Sequence, residues 1–163
     1  MLKGIDPLLG PDLLCALRAM GHGDEIAIVD ANYPAQAHAK RCVRADGHSA
    51  TAMLEAILTI LPLDRFVEAA AFRPVPPDQP AHLIHDEFEA IVETYEPGLP
   101  IAPLLGDSFY DRVKSAYLIV ATGERRLYGN IILRKGVIHE DVAPSPEASI
   151  KLNRNRVIKK AAP

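Results

Sequence analysis

Four apolar residues in unbroken succession, Ile26-Ala27-Ile28-Val29, stand between Gly21-His22-Gly23-Asp24 and Asp30. A run without polar alternation leaves no side for solvent. It reads as a strand over 25–30 that is buried on both faces, as in sheets covered by helices on each side. The rest of the chain supplies such helices. The first spans 11–20, with Pro11 at the first helical position, Gly21 as the stop, and Leu13, Leu14, Leu17 and Met20 on one face. Ser49 caps a second that runs through Leu61 to Pro62, with Met53, Leu54, Ile57 and Leu58 as its apolar set. A third covers about 82–96 with Leu83, Ile84, Phe88, Ile91, Val92 and Tyr95 inward, and a short one follows at about 108–116. Further strands are expected at 41–44, 66–73, Tyr117–Ala121 and Ile131–Leu133. Strands alternate with helices, so the fold class is α/β: a single domain with a mixed, mostly parallel sheet flanked by helices.

The 163 residues are 48% hydrophobic, enough for one core without disulfides or a structural metal. The proline-rich stretch 74–80 and the segment around Pro97, Pro100 and Pro103 read as surface connections. The domain is expected to occupy residues 1–137. Beyond it, 138–163 carry Lys151, Arg154, Arg156, Lys159 and Lys160 with few large apolar side chains, the composition of a flexible extension. Net charge is −3 and the main body has no basic stripe, so nucleic acid is not expected as a partner. No apolar run approaches the roughly 18 residues of a membrane span. Asp6, Pro7 and Asp12 interrupt any leader-like segment. Cys15 and Cys42 form no CxxC pair and fit free thiols in a reducing compartment. These features point to a cytoplasmic protein that does not associate with membranes.

His22 is the first candidate for chemistry. Flanking glycines remove bulk and permit positive φ, so the imidazole can be projected into a cleft. Histidine, with an ordinary pKa of about 6.5, passes protons near neutrality. The competing role is to satisfy the last carbonyls of the helix before it. Asp30 is the second, at the C-terminal end of the buried strand, where α/β sheets place ligand sites. It can accept hydrogen bonds from sugar-like hydroxyls, orient the histidine, or close an Asx turn. The third is Tyr128-Gly129-Asn130, which offers a ring, a hydroxyl, close backbone approach and an amide, or is a tight turn entering the last strand. Arg44-Ala45-Asp46-Gly47 is either an internal ion pair or part of a site. His82 and His85 lie three apart on a helix, but no third metal ligand has convincing spacing, and a solvated helix face is the reading preferred. No Walker A loop, dinucleotide fingerprint or nucleophile elbow is present.

Together these segments resemble the ribose pyranase and fucose mutarotase family (RbsD/FucU). The similarity runs through Met1-Leu-Lys-Gly-Ile-Asp-Pro-Leu-Leu9, Met20-Gly-His-Gly-Asp-Glu-Ile26, Val29-Asp-Ala-Asn-Tyr-Pro-Ala35 and Arg44-Ala-Asp-Gly47. It continues through Phe109-Tyr-Asp-Arg112, Ala121-Thr-Gly-Glu-Arg125, Tyr128-Gly-Asn-Ile-Ile-Leu133 and Lys135-Gly136. It is nearer the fucose branch and covers roughly 1–137. The resemblance implies a mutarotase that interconverts the ring forms of L-fucose or a related aldose, without cofactor or metal. It implies a catalytic histidine at His22, and substrate contacts at Asp30, Tyr128, Gly129 and Asn130. It implies a homo-oligomer, a decamer of two pentamers, with sites between neighbouring subunits. The family carries an arginine or a histidine where this chain has Gly106. Asp107 is the adjacent side chain that could meet the sugar instead. The alternatives are a sugar-binding or regulatory protein that retains the pocket, and a ribose-type pyranose–furanose isomerase.

Overall fold

The computed structural model describes residues 2–77 and 82–138. Among these residues six strands form one sheet in the order β2-β5-β1-β6-β3-β4. They are β1 (Glu25–Val29), β2 (Cys42–Ala45), β3 (Ala71–Pro74), β4 (Ile101–Leu104), β5 (Leu118–Thr122) and β6 (Ile131–Arg134). The helices are α1 (Pro11–Ala19), α2 (Ala35–His38), α3 (Ala50–Leu58), α4 (Leu83–Tyr95) and α5 (Asp107–Ser115). Pairings β1–β5, β2–β5 and β3–β4 are parallel, and β6 runs antiparallel to both β1 and β3. Five strands thus point one way and β6 the other, the mixed, mostly parallel sheet expected.

The unbroken run of β1 has the predicted consequence. Ile26 and Ile28 face one layer with α1, α3 and α4, alongside Leu13, Leu54, Ile57, Phe88 and Val92. Ala27 and Val29 face the other, with Ala35 of α2 and Phe109 and Val113 of α5. All four are fully buried, and each isoleucine contributes about 1.5–3 kcal/mol by leaving water. Ser49 caps α3 by accepting the Ala52 N–H at 3.2 Å. Leu83 departs from expectation: it is 80% exposed at the first turn of α4, while Ile84 takes the inward place.

Two strands depart from the sequence reading. β3 begins at Ala71, later than expected, because Asp64 turns the chain by accepting the Phe66 N–H and Arg65 ties it to Glu96. β4 occupies the stretch read as a proline loop. Pro103 is tolerated there because β4 is an edge strand and one missing N–H breaks no inner ladder. The four-residue helix α2 lies in a segment read as irregular. Among the described residues no helix is long and apolar enough to cross a membrane. The extension expected over 138–163 lies, beyond Ile138, outside the described residues.

Candidate active site

The direction of β1 decides where the candidate residues go. His22 precedes the strand and Asp30 follows it. The five residues of β1 separate Asp24 from Asp30, six extended steps and so on the order of 20 Å. The two therefore occupy opposite ends of the sheet, and Asp30 cannot orient the imidazole of its own chain. Because β6 is antiparallel, pairing Glu25 with Arg134 and Ile28 with Ile131, it adds Arg134 to the His22 end and Asn130 to the Asp30 end.

At the first end, His22 Nε2 lies 3.0 Å from Asp64 Oδ2. Asp64 is 1% exposed. Burial alone would raise its pKa, yet the Phe66 N–H, the Arg134 guanidinium and His22 hold it below the ordinary carboxylate range. An ionised carboxylate only accepts, so Nε2 carries the proton and Nδ1 is left to exchange one. The imidazole is 45% exposed, open to a substrate, and the Phe66 ring stands edge-on to it at 5.9 Å. His22 does not cap α1. Lys135 does, donating from Nζ to the carbonyls of Leu17 and Met20, which its longer arm reaches from just past the end of β6.

At the second end, the Asp30 N–H donates to Asn130 Oδ1 at 2.8 Å, and Asn130 Nδ2 donates to Asp30 Oδ2 at 2.7 Å. Asp30 Oδ1 accepts the Asn32 N–H, so the Asx turn also forms. Both side chains are nearly buried, with a small exposed margin. Tyr128 sits at φ +58°. At Gly129 an added Cβ would lie 2.7 Å from Glu124 Cγ and 3.0 Å from Ile84 Cδ1, so only glycine allows this approach. Tyr33 stacks on Tyr110 at 5.6 Å, and burial followed by Tyr110 pushes its phenol up to about 12.

Gly106 and Asp107 follow β4, which puts them at this second end. Gly106 adopts φ +50°, ψ −132°, and the Ser108 N–H reaches the Leu105 carbonyl at 3.2 Å, a tight turn that favours glycine at this position. The residue thus serves the backbone, and Asp107 is exposed on the first turn of α5. Arg44 and Asp46 form an exposed ion pair with each other.

Sequence reasoning missed Asp64, Glu124 and Arg134, and took His85 for part of a solvated helix face. Asp64 stands in a short connection with no motif around it. His85 is 1% exposed, which overturns the solvated-face reading, and its Nε2 lies 3.1 Å from the Tyr128 carbonyl. Among the described residues no group of three metal-ligating side chains occurs. Glu124 accepts from the Arg126 guanidinium at 2.9 Å through each oxygen and from the Arg125 and Arg126 N–H groups. The Arg126 side chain comes first among the causes that bring its pKa to about 2 from an ordinary 4.5. A depressed carboxylate stabilises the fold above its unfolded pKa, and that contribution is lost as pH falls toward the folded value. Glu124→Gln should therefore melt lower than the parent at pH 7. The gap should narrow below pH 4.5 and close near pH 2 in a series of thermal melts; a gap independent of pH would refute this role.

The model of the RbsD / FucU transport protein family matches residues 3–138. The chain belongs to this family. Among its RbsD/FucU relatives, the fucose mutarotase of Homo sapiens is 45% identical over 146 residues, covering 84% of this chain and 94% of the relative. The L-fucose mutarotase of Actinobacillus pleuropneumoniae is 40% identical, covering 84% and 97%. The crystal structure of the fucose mutarotase from Streptococcus pneumoniae, in complex with L-fucose, superposes with a TM-score of 0.79. It is 41% identical and covers 85% of this chain and all of that one.

Proposed function

We propose that this chain is an isomerase, a mutarotase that interconverts the anomers of L-fucose by acid–base ring opening and reclosure. The observation that carries the mechanism is the half-exposed His22 imidazole, its tautomer fixed by buried Asp64. Relatives at 40–45% identity named for this activity support the substrate.

Mutarotation moves two protons and changes no oxidation state. The anomeric hydroxyl gives up a proton, the ring oxygen gains one, and the C1–O bond between them opens. The aldehyde rotates and the steps reverse. His22 Nδ1 exchanges the proton at one of these oxygens, a role typically worth 10²–10⁴-fold. Asp30 and Asn130 hold sugar hydroxyls with the capacity their mutual bonds leave, and Tyr128 and Gly129 fix the ring's pose. Asp107 lies at the same end as these contacts.

The two ends are too far apart to meet on one sugar within one chain. The site is therefore assembled from two copies, the His22 end of one facing the Asp30 end of another. Exposed apolar side chains support this: Phe66 beside His22, Leu127 next to Tyr128, and Leu105 next to Gly106. The assembly is proposed as a decamer of two pentamers, and the compartment as the cytoplasm. The domain is taken as 1–137, with 138–163 as an extension.

NMR saturation transfer between the anomers of L-fucose tests the activity. Added protein should speed exchange well above the uncatalysed rate without added metal. Exchange at background across a panel of aldoses would leave a sugar-binding protein instead. Faster pyranose–furanose exchange of ribose than anomer exchange of fucose would reassign the substrate.

A further inference from the structure

We propose that His85 is a positioning residue: its Nε2–H pins the Tyr128 carbonyl and holds the Tyr128–Asn130 segment in the pose that meets the sugar. This rests on the reading above that Tyr128 and its neighbours contact substrate.

Tyr128 is the one non-glycine residue with positive φ among those described. A side chain with a Cβ seldom keeps that conformation unless its surroundings impose it. Its carbonyl accepts from His85 Nε2 at 3.1 Å and from the Asn130 N–H at 2.8 Å. Its ring lies 5.2 Å from that of His82. Gly129 beside it is wedged against Glu124 and against Ile84 of α4. The segment is thus held between the start of α4 and the turn at Glu124.

The tautomer of His85 follows from its second bond. Nδ1 accepts the His82 N–H at 3.4 Å, so it carries no proton. The ring's proton is therefore on Nε2, aimed at Tyr128. Burial pushes the His85 pKa down, and the charges of Arg73 from β3 and His82 at the N-cap of α4 act in the same direction. The Tyr128 carbonyl and Glu89 oppose them. The neutral, donating form is the one this pocket keeps.

One imidazole thus joins the N-cap of α4 to the substrate segment, and two substitutions separate those jobs. The shorter amide of His85→Asn can keep the bond to the His82 N–H but cannot reach Tyr128. His85→Gln places its amide nitrogen near the former Nε2 and keeps the Tyr128 bond instead. For His85→Asn we expect KM for L-fucose to rise roughly tenfold, the scale of one buried hydrogen bond, with kcat within about twofold. His85→Gln should stay within about twofold of the parent in both.

A purely helix-capping role would lower the melting temperature of His85→Gln more than that of His85→Asn and leave KM unchanged in both variants, which would overturn the proposal. Tyr128→Ala is measured in parallel. If it raises KM while His85→Asn does not, the positioning role falls and the site reading stands. If neither raises KM, both fall. Should His85→Asn fail to fold, the parent protein labelled with ¹⁵N-histidine supplies the test. The His85 Nε2–H resonance should shift on saturation with L-fucose, and an unmoved resonance would overturn the coupling.

Discussion

His22→Asn should slow anomer exchange by about 10²-fold or more, the usual scale for losing one acid–base group. It should do so with little change in stability. Asp64 is the group that would suffer from an absent partner, because a buried unpaired carboxylate is costly. Arg134 Nε at 3.0 Å and the Phe66 N–H at 3.0 Å continue to hold it when the imidazole is gone. The α1 carbonyls are likewise untouched, since Lys135 satisfies them. Affinity for the sugar should change far less than rate, because Asp30, Asn130 and Tyr128 stand at the other end of the sheet. Exchange rate, KM and melting temperature on the one variant check all three statements. Normal exchange with a lowered melting point would remove His22 from the mechanism.

Mixing two defective variants should restore activity that neither has. His22→Asn lacks the proton relay, and Asp30→Asn weakens the sugar contacts at the opposite end. When the two are dissociated, mixed in equal amounts and reassembled, random pairing gives about one quarter of the sites an intact His22 and an intact Asp30 from different copies. Exchange should recover to about one quarter of the parent's rate. Variants reassembled separately and then combined should stay near their own low rates. No recovery in the mixed assembly would mean that one copy supplies both ends, against the direction of β1.

The architecture was legible because its central signal was strong. Ile26–Val29 and Ile131–Leu133 are apolar runs too short for helices, and Ser49, Pro11 and Gly21 punctuate the helices between them. Weak elements failed for physical reasons. Pro103 argues against a strand until the strand is known to lie at an edge, which one sequence does not reveal. His22, Asp30 and Asn130 could be singled out because each stands at the end of a buried strand. Asp64 could not, and His85 drew notice only for its spacing from His82, which does not bear on the part it plays. Their roles come from partners 42 and 43 positions away, so nothing in their neighbours marks them. The sequence also gave no measure of separation. His22 and Asp30 are eight positions apart and read naturally as one cluster, while an intervening strand places them at opposite ends.

The place of β6 has a consequence for how the protein is made. The last of the described strands to be synthesised lies inside the sheet, between β1 and β3. Until it emerges from the ribosome, β3 and β4 can pair with each other, and β1 and β2 can be joined only through β5. The nascent chain then holds two partial sheets with open inner edges, the surfaces on which unfinished chains mispair. Loss of residues 131–134 would remove the middle of the sheet rather than its margin. The unfinished chain is most open to mispairing in the interval before β6 is free, and both ends of the candidate site are completed in that same late step.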